Sequence, residues 1–233
     1  MINRIAILGD FNPVYETHHK LNESVKDIQK FLNMDIQFDW IATDIFDCKI
    51  VFEKQNYKGL WVAPGSPYKD MENVLYTIKY AREFNIPTFG NCGGFQHMII
   101  EFAKNECHIE KADHEETNPD STEILIKRLT CSLVGEQELL QIIDPVSILY
   151  KAYNKKELVG KYFCSYGLND KYLEILKSKG MKFTSISEDG SYRSFEIDTH
   201  PFFVGTLFQP ALTSTTKESN PMIIEFVRQA LKA

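Results

Sequence analysis

Residues 86–105 read IPTFGNCGGFQHMIIEFAKN. The run opens with an apolar strand (PTFGN, 87–91) and closes with a helix (MIIEFAKN, 98–105). Between them Gly90-Asn91-Cys92-Gly93-Gly94 has the glycine-x-nucleophile-x-glycine spacing of a nucleophile elbow. A residue held at so sharp a turn crowds the positions two before and two after it, so both want no side chain. Such a turn leaves the Cys92 sulfur exposed above the carboxyl end of its strand, where open α/β sheets carry their sites. The following helix points its unpaired N–H groups and the positive end of its dipole at that sulfur, which favours thiolate over thiol. With 5 cysteines and 12 glycines in 233 residues, composition alone gives about 0.01 such matches.

Working outward, strands and helices alternate. RIAILGDF (4–11) reads as a buried strand, and Leu21, Val25, Ile28 and Leu32 give helical spacing over 17–33. IQFDWIAT (36–43) and GLWVAP (59–64) are further strands, the second ending at the turn Pro64-Gly65-Ser66-Pro67. Asp70 to Asn85 is a helix. This order predicts an α/β fold, an open and mostly parallel sheet covered by helices on both faces. Residues 107–121 are polar and acidic and read as a surface loop. ILIKRL (124–129) and SILYKAY (147–153) read as strands, and 169–179 as a helix stopped by Gly180. MKFTSIS (181–187) and YRSFEID (192–198) flank Asp189-Gly190, a strong signal for a late β-hairpin. FFVGTLF (202–208) is one more buried strand, and Asn220-Pro221 opens the last helix. No linker interrupts residues 1–233, so a single domain is expected.

Composition narrows the function. Hydrophobic residues are 43% and charged residues 25%, with a net charge of −6 and Lys and Arg scattered, which gives no footprint for nucleic acid. No apolar run approaches the roughly 20 residues of a membrane span. MINRIAILGDF reads as a strand rather than a signal peptide, so a cytoplasmic location is expected. The five cysteines (Cys48, Cys92, Cys107, Cys131, Cys164) are odd in number and lack metal or redox spacing. No metal and no cofactor are expected, and every cysteine except Cys92 reads as a small buried hydrophobe. Ala63-Pro64-Gly65-Ser66 ends the strand before the elbow. Its N–H groups, with that of Gly93, could form an oxyanion hole beside Cys92.

Together GLWVAPGSPY, YAREFNIPTFGNCGGFQHMIIEFAKN and THPFFVGTLFQP resemble the class I glutamine amidotransferase family, in its CTP synthase glutaminase branch. The resemblance runs in order through almost the whole chain. It implies a flavodoxin-like sheet and a cysteine that attacks a glutamine side-chain amide, forming a glutamyl thioester. Water then frees glutamate, and ammonia passes to a synthase. On that resemblance Cys92 is the nucleophile and Gly65 and Ser66 the oxyanion loop, with serine at a usual glycine. Gln96 contacts the substrate, and Glu116 holds its amino group. Gln96 lies four residues past Cys92, on nearly the same helix face.

The chain departs from the family's pattern twice. Where the family carries His-Pro-Glu after the late strand, this sequence has Gln209-Pro210-Ala211. A glutamine amide takes no proton near neutral pH and alanine orients nothing. In KYFCSYGLN (161–169) the family's carboxylate-binding arginine is replaced by Ser165. Among the six histidines, His18 and His19 read as a solvated pair, and His97, His108 and His200 as structural. His114, two residues from Glu116, is the best-placed replacement base, with a solvated loop histidine as the alternative. Two functions stay open: a cysteine amidohydrolase or amidotransferase acting on glutamine or a similar small amide, or a ligand-binding relic without turnover. No G-x-x-x-x-G-K-[ST] loop is present, so an ammonia-accepting synthase would be a separate partner.

Overall fold

The computed structural model describes residues 3–45, 48–215 and 218–232. Strand β1 (Asn3–Leu8) is sealed from Ile5 to Leu8. Helix α1 (Glu16–Leu32) lays Leu21, Val25 and Ile28 on the core and stops at Asn33 in the left-handed conformation. Strand β2 (Ile36–Ile41), helix α2 (Cys48–Lys54) and strand β3 (Gly59–Val62) follow, with all four residues of β3 buried. Helix α3 (Met71–Glu83) is capped by Asp70, whose carboxylate accepts the Asn73 N–H at 2.9 Å. Strand β4 (Thr88–Asn91) then runs into helix α4 (Gly93–Asn105).

The second half is less regular. Strands β5 (Ala112–His114), β6 (Glu123–Arg128) and β7 (Gln137–Ile142) lead to helix α5 (Ile148–Tyr153). Strands β8 (Glu157–Lys161) and β9 (Tyr166–Leu168) precede a 3₁₀ turn at Asp170–Tyr172 and helix α6 (Leu173–Ser178). The hairpin β10 (Met181–Ile186) and β11 (Tyr192–Ile197) turns at Asp189-Gly190, with Gly190 at φ +83°. Strand β12 (Phe203–Thr206) and helix α7 (Pro221–Lys232) complete the chain, the Asn220 Oδ1 accepting the Met222 N–H at 2.8 Å.

Nine strands form one open sheet in the order β2-β1-β3-β4-β12-β11-β10-β7-β8. The run from β2 to β12 is parallel, and the strands from β11 to β8 continue it antiparallel. The parallel half and the late hairpin are where the sequence places them. β4 lies between β3 and β12, with Trp61 beside Phe89 and Gly205 beside Gly90. All four of its residues, the polar Thr88 and Asn91 included, are buried, as a strand covered on both faces requires. Fully buried side chains such as Trp61, Phe89, Phe203 and Phe226 each stabilise the fold by about 1.5–3 kcal/mol.

Two local expectations are corrected. SILYKAY is helix α5, not a strand: Ser147 Oγ accepts the Tyr150 N–H at 3.0 Å, and Asn154 ends the turn in the left-handed region. Both capping residues were present in the sequence, but a six-residue helix shows too little period to reveal itself. Residues 107–121 are not all surface loop. Ala112 and His114 are buried in a second sheet, β5-β6-β9, which carries His114 and Tyr166 to the elbow. Strands β7 and β8 were not foreseen. No helix among the described residues is long and apolar enough to cross a membrane.

Candidate functional site

Cys92 stands between β4 and α4 at φ 53° and ψ −112°, a backbone state that side chains with a Cβ rarely adopt. Its neighbours hold it there. The Cys92 N–H donates to the Thr206 carbonyl at 3.0 Å, and its own carbonyl accepts the Gln96 N–H at 3.2 Å. A Cβ on Gly90 would strike the Met98 sulfur, and one on Gly94 the Val62 carbonyl oxygen. The elbow therefore needs both glycines for close packing. A Cβ on Gly93 would strike the Gly65 carbonyl, so the loop after β3 lies directly against the first turn of α4.

Cys92, expected to be exposed, is instead buried at 6% exposure, because the Gly65 loop and the Phe163 carbonyl close over it, and it lines a cavity of about 230 Å³ with Gly65, Ser66, Gln96, Glu116, Cys164 and Gln209. The Cys92 sulfur sits 3.7 Å from the Phe163 carbonyl. A hydrogen bond with the Cys164 thiol pulls the Cys92 pKa below the ordinary cysteine value. Burial opposes this, and the backbone N–H groups of Gly65 and Gly93 reinforce it. The same hydrogen bond, together with burial, pushes Cys164 well above the ordinary value. Gly65 and Gly93 give Cys92 two backbone donors against the one from Phe163 to Cys164, so Cys92 is the more readily ionised of the pair and Cys164 the one that holds its proton. Tyr68, buried with its hydroxyl donating to the Ala63 carbonyl at 2.5 Å, is also raised, first by burial and then by the nearby Cys92.

Gln96 is clamped at both ends of its amide. Its Nε2 donates to the Tyr166 carbonyl at 2.9 Å, and its Oε1 pairs with His114 Nε2 at 3.1 Å. His114 Nδ1 accepts the Glu116 N–H at 3.1 Å, which assigns the proton to Nε2 and makes His114 the donor to Gln96. Burial, then the nearby His97, drop the His114 pKa to about 3. His114 thus lies behind Gln96 as a neutral donor and is not among the residues lining the cavity. Glu116 is exposed at the cavity and accepts a hydrogen bond from Ser66 Oγ at 2.7 Å.

Gln209 lines the cavity. Its backbone N–H donates to the Lys161 carbonyl at 2.8 Å, while its buried side-chain Nε2 has no protein partner. The 3% exposed Ala211 offers nothing that could orient a base. His18, expected in solvent, is instead buried: its Nδ1 accepts the Asn12 N–H at 3.0 Å and its Nε2 donates to the Pro64 carbonyl at 2.8 Å, bracing the loop before Gly65. His97 Nδ1 donates to the Gly93 carbonyl at 2.8 Å, and burial lowers its pKa to about 4. Among the described residues lining the cavity there is no histidine, lysine or arginine, and Glu116 is the one carboxylate. No cluster of three or more His, Cys, Asp or Glu among the described residues is arranged to hold a metal ion.

Cys164 went unrecognised from sequence because it lies far from Cys92 along the chain and its spacing carries no motif. The available signal was its place next to Ser165, in a segment that the resemblance brings to the substrate. Away from the cavity, Cys107 is a buried free thiol as expected, Cys131 is exposed where a buried residue was expected, and the side chain of Cys48 falls outside the described residues.

Residues 14–229 match the family model described as glutamine amidotransferase class-I. The chain belongs to that family. It is 30% identical to the CTP synthase of Saccharolobus solfataricus over 96% of this chain and 44% of that protein. It is 29% identical to the CTP synthase of Nautilia profundicola over 98% of this chain and 46% of that protein. The chain thus spans less than half the length of these relatives. In structure it overlays the glutaminase domain of Trypanosoma brucei CTP synthase with bound acivicin at a TM-score of 0.89, with 22% identity, covering 99% of this chain and 94% of that one. A glutamine amidotransferase of Thermotoga maritima overlays at 0.60 with 13% identity, covering 100% of this chain and 85% of that one. These overlays establish the fold: the class I amidotransferase sheet, matching the CTP synthase glutaminase domain.

Proposed function

We propose that this amidotransferase domain captures a glutamine-type primary amide at Cys92 and turns it over slowly, for want of an imidazole. The observation that carries the reading is the composition of the cavity wall. A strained cysteine, two backbone N–H donors, Gln96 and Glu116 converge there, and Gln209 fills the place of a base.

The chemistry follows from those parts. Sulfur attacks the carboxamide carbon, and the N–H groups of Gly65 and Gly93, which point at the sulfur, would stabilise the oxyanion that develops beside it. The carbon–nitrogen bond then breaks. Amide plus thiol gives thioester plus ammonia, the thiol proton ending on nitrogen, and Cys164 is the group beside the sulfur that can hold that proton. Water later cleaves the thioester to a carboxylate, one of its protons returning to sulfur and the other passing to the released ammonia or to solvent. General acid–base catalysis contributes about 10²–10⁴-fold to such steps, and an amide side chain at position 209 forfeits it. In this reading His114 positions Gln96 and does not act as the base. Ammonia, where released, would pass to a separate synthase partner. The second reading, a ligand-binding module with no turnover at all, is favoured by the same Gln209.

Intact-mass labelling with 6-diazo-5-oxo-norleucine, an electrophilic glutamine analogue, distinguishes the readings. A single adduct at Cys92, with weak ammonia release that disappears in Cys92→Ser, supports slow turnover. An adduct without ammonia release supports the binding module. No adduct would sink both.

A further inference from the structure

The cavity carries an unusual charge balance for an amino-acid site. Glu116 supplies a carboxylate whose Oε2 accepts from Ser66 and whose other oxygen stays open to a ligand ammonium. No cation among the described lining residues offsets it. Ser165 lines the wall with a small neutral hydroxyl, already paired with Ser132 Oγ at 2.9 Å. The mouth is apolar: Tyr15, Val134 and Phe163 line it and are 44%, 46% and 47% exposed. A free amino acid would bring its own carboxylate into this space. That carboxylate would lose hydration, face Glu116, and find no guanidinium or ammonium in return. Like charges brought together in a partly closed site are costly. A ligand whose carboxyl group is masked avoids the loss and sets its neutral extension against the apolar rim.

We infer that the site takes a primary amide bearing an ammonium group but no free carboxylate, as glutamine does when its carboxyl is joined in an amide or peptide bond. The inference rests on the reading of Cys92 as an amide-capturing thiol and specifies what is attached to the amide. The ammonium pairs with Glu116 and the carboxamide lies between Gln96 and Cys92. The masked carboxyl passes Ser165 toward Tyr15, Val134 and Phe163. The rim fits the N-terminal glutamine of a peptide better than the free amino acid.

Competition against alkylation tests this directly. Cys92 is labelled with iodoacetamide at pH 7 and read by peptide mass mapping, in the presence of L-glutamine, L-glutaminamide (the α-amide) or glutaminyl-glycine amide. The two masked ligands are expected to halve labelling at concentrations about tenfold or more below that of free glutamine. Ser165→Arg, which supplies a cation at the wall, is expected to narrow or reverse the order by improving glutamine alone. Equal protection by glutamine and glutaminamide in the wild-type chain overturns the inference while leaving amide capture intact. No protection by any of the three overturns amide capture and the inference with it. The wild-type comparison decides the matter even if Ser165→Arg fails to fold.

Discussion

Cys164→Ala is the sharpest probe of how Cys92 is activated. Cys92 has no imidazole at its cavity, and the first cause of its lowered pKa is the hydrogen bond from the Cys164 thiol. Hydrogen bonds to a charged group are worth about 1.5–3 kcal/mol. A thiol is a weak donor, so the low end applies, and about 1.4 kcal/mol corresponds to tenfold in the thiolate population. The Gly65 and Gly93 N–H groups remain in the variant and keep part of the effect. Cys164→Ala should therefore slow iodoacetamide alkylation of Cys92 about tenfold at pH 7. The rates should converge at high pH, where both proteins are ionised. Cys164→Ser keeps a donor and should fall between them. The assay is a pH profile of the alkylation rate, with unfolding midpoints showing that each variant is folded. A profile for Cys164→Ala that overlays the wild type, or lies to its acidic side, would refute the assignment of charge to Cys92 and proton to Cys164.

Gln209→His should raise the alkylation rate of Cys92 near neutral pH by about tenfold, because a free cysteine is only a few per cent thiolate there; an unchanged rate would mean that position 209 does not address the sulfur. Glu196 is buried, with its pKa raised from 4.5 to about 7, chiefly by burial and against the Ile148 N–H that its carboxylate accepts. Between those two values the folded chain holds a proton that the unfolded chain has lost, so stability falls as pH rises through the window, by about 3 kcal/mol if the shift is taken whole. Glu196→Gln can keep the Ile148 bond and should be more stable than wild type at pH 8 but similar at pH 5 by urea denaturation; an equal difference at both pH values contradicts this. Cys92→Gly should be more stable than Cys92→Ala by about 0.5–2 kcal/mol, since relief of about 1–3 kcal/mol of backbone strain outweighs the usual 0.5–1 kcal/mol penalty of glycine. The reverse order in paired denaturation curves would show that the elbow is unstrained.

The parallel half of the sheet was legible because its central strands are buried on both faces and bounded by turn residues, as GLWV and TFGN show. The elbow was legible for a steric reason: Gly90 and Gly94 sit where a Cβ would meet Met98 and Val62, and that demand fixes their spacing around Cys92. Strands β7 and β8 were not legible. Each alternates buried and exposed residues over five or six positions, with apolar Leu139 and Val159 facing outward, so the period is blurred. His18 was misjudged because polar surroundings in sequence suggested solvent, and the solvated alternative for His114 fails for the same reason. Their burial comes from distant partners, the Pro64 carbonyl and the Gln96 amide. Cys164 belongs to the same class: its meaning depends on a neighbour that only the folded chain supplies.

These misjudged residues bear on the chemistry more than the legible ones do. An elbow and a helix N-terminus establish that Cys92 can be a thiolate; they do not settle what the thiolate can do. Acyl transfer from an amide needs a proton on the departing nitrogen and then a proton taken from water, and both steps depend on groups that can change protonation near pH 7. His114 and His97, at about 3 and 4, stay neutral there. Cys164 is pushed well above its ordinary value, so it is a proton holder and a poor base. On the proposed reading of Cys92 as an amide-capturing thiol, acylation, which uses a held proton, is therefore less impaired than deacylation, which must remove one.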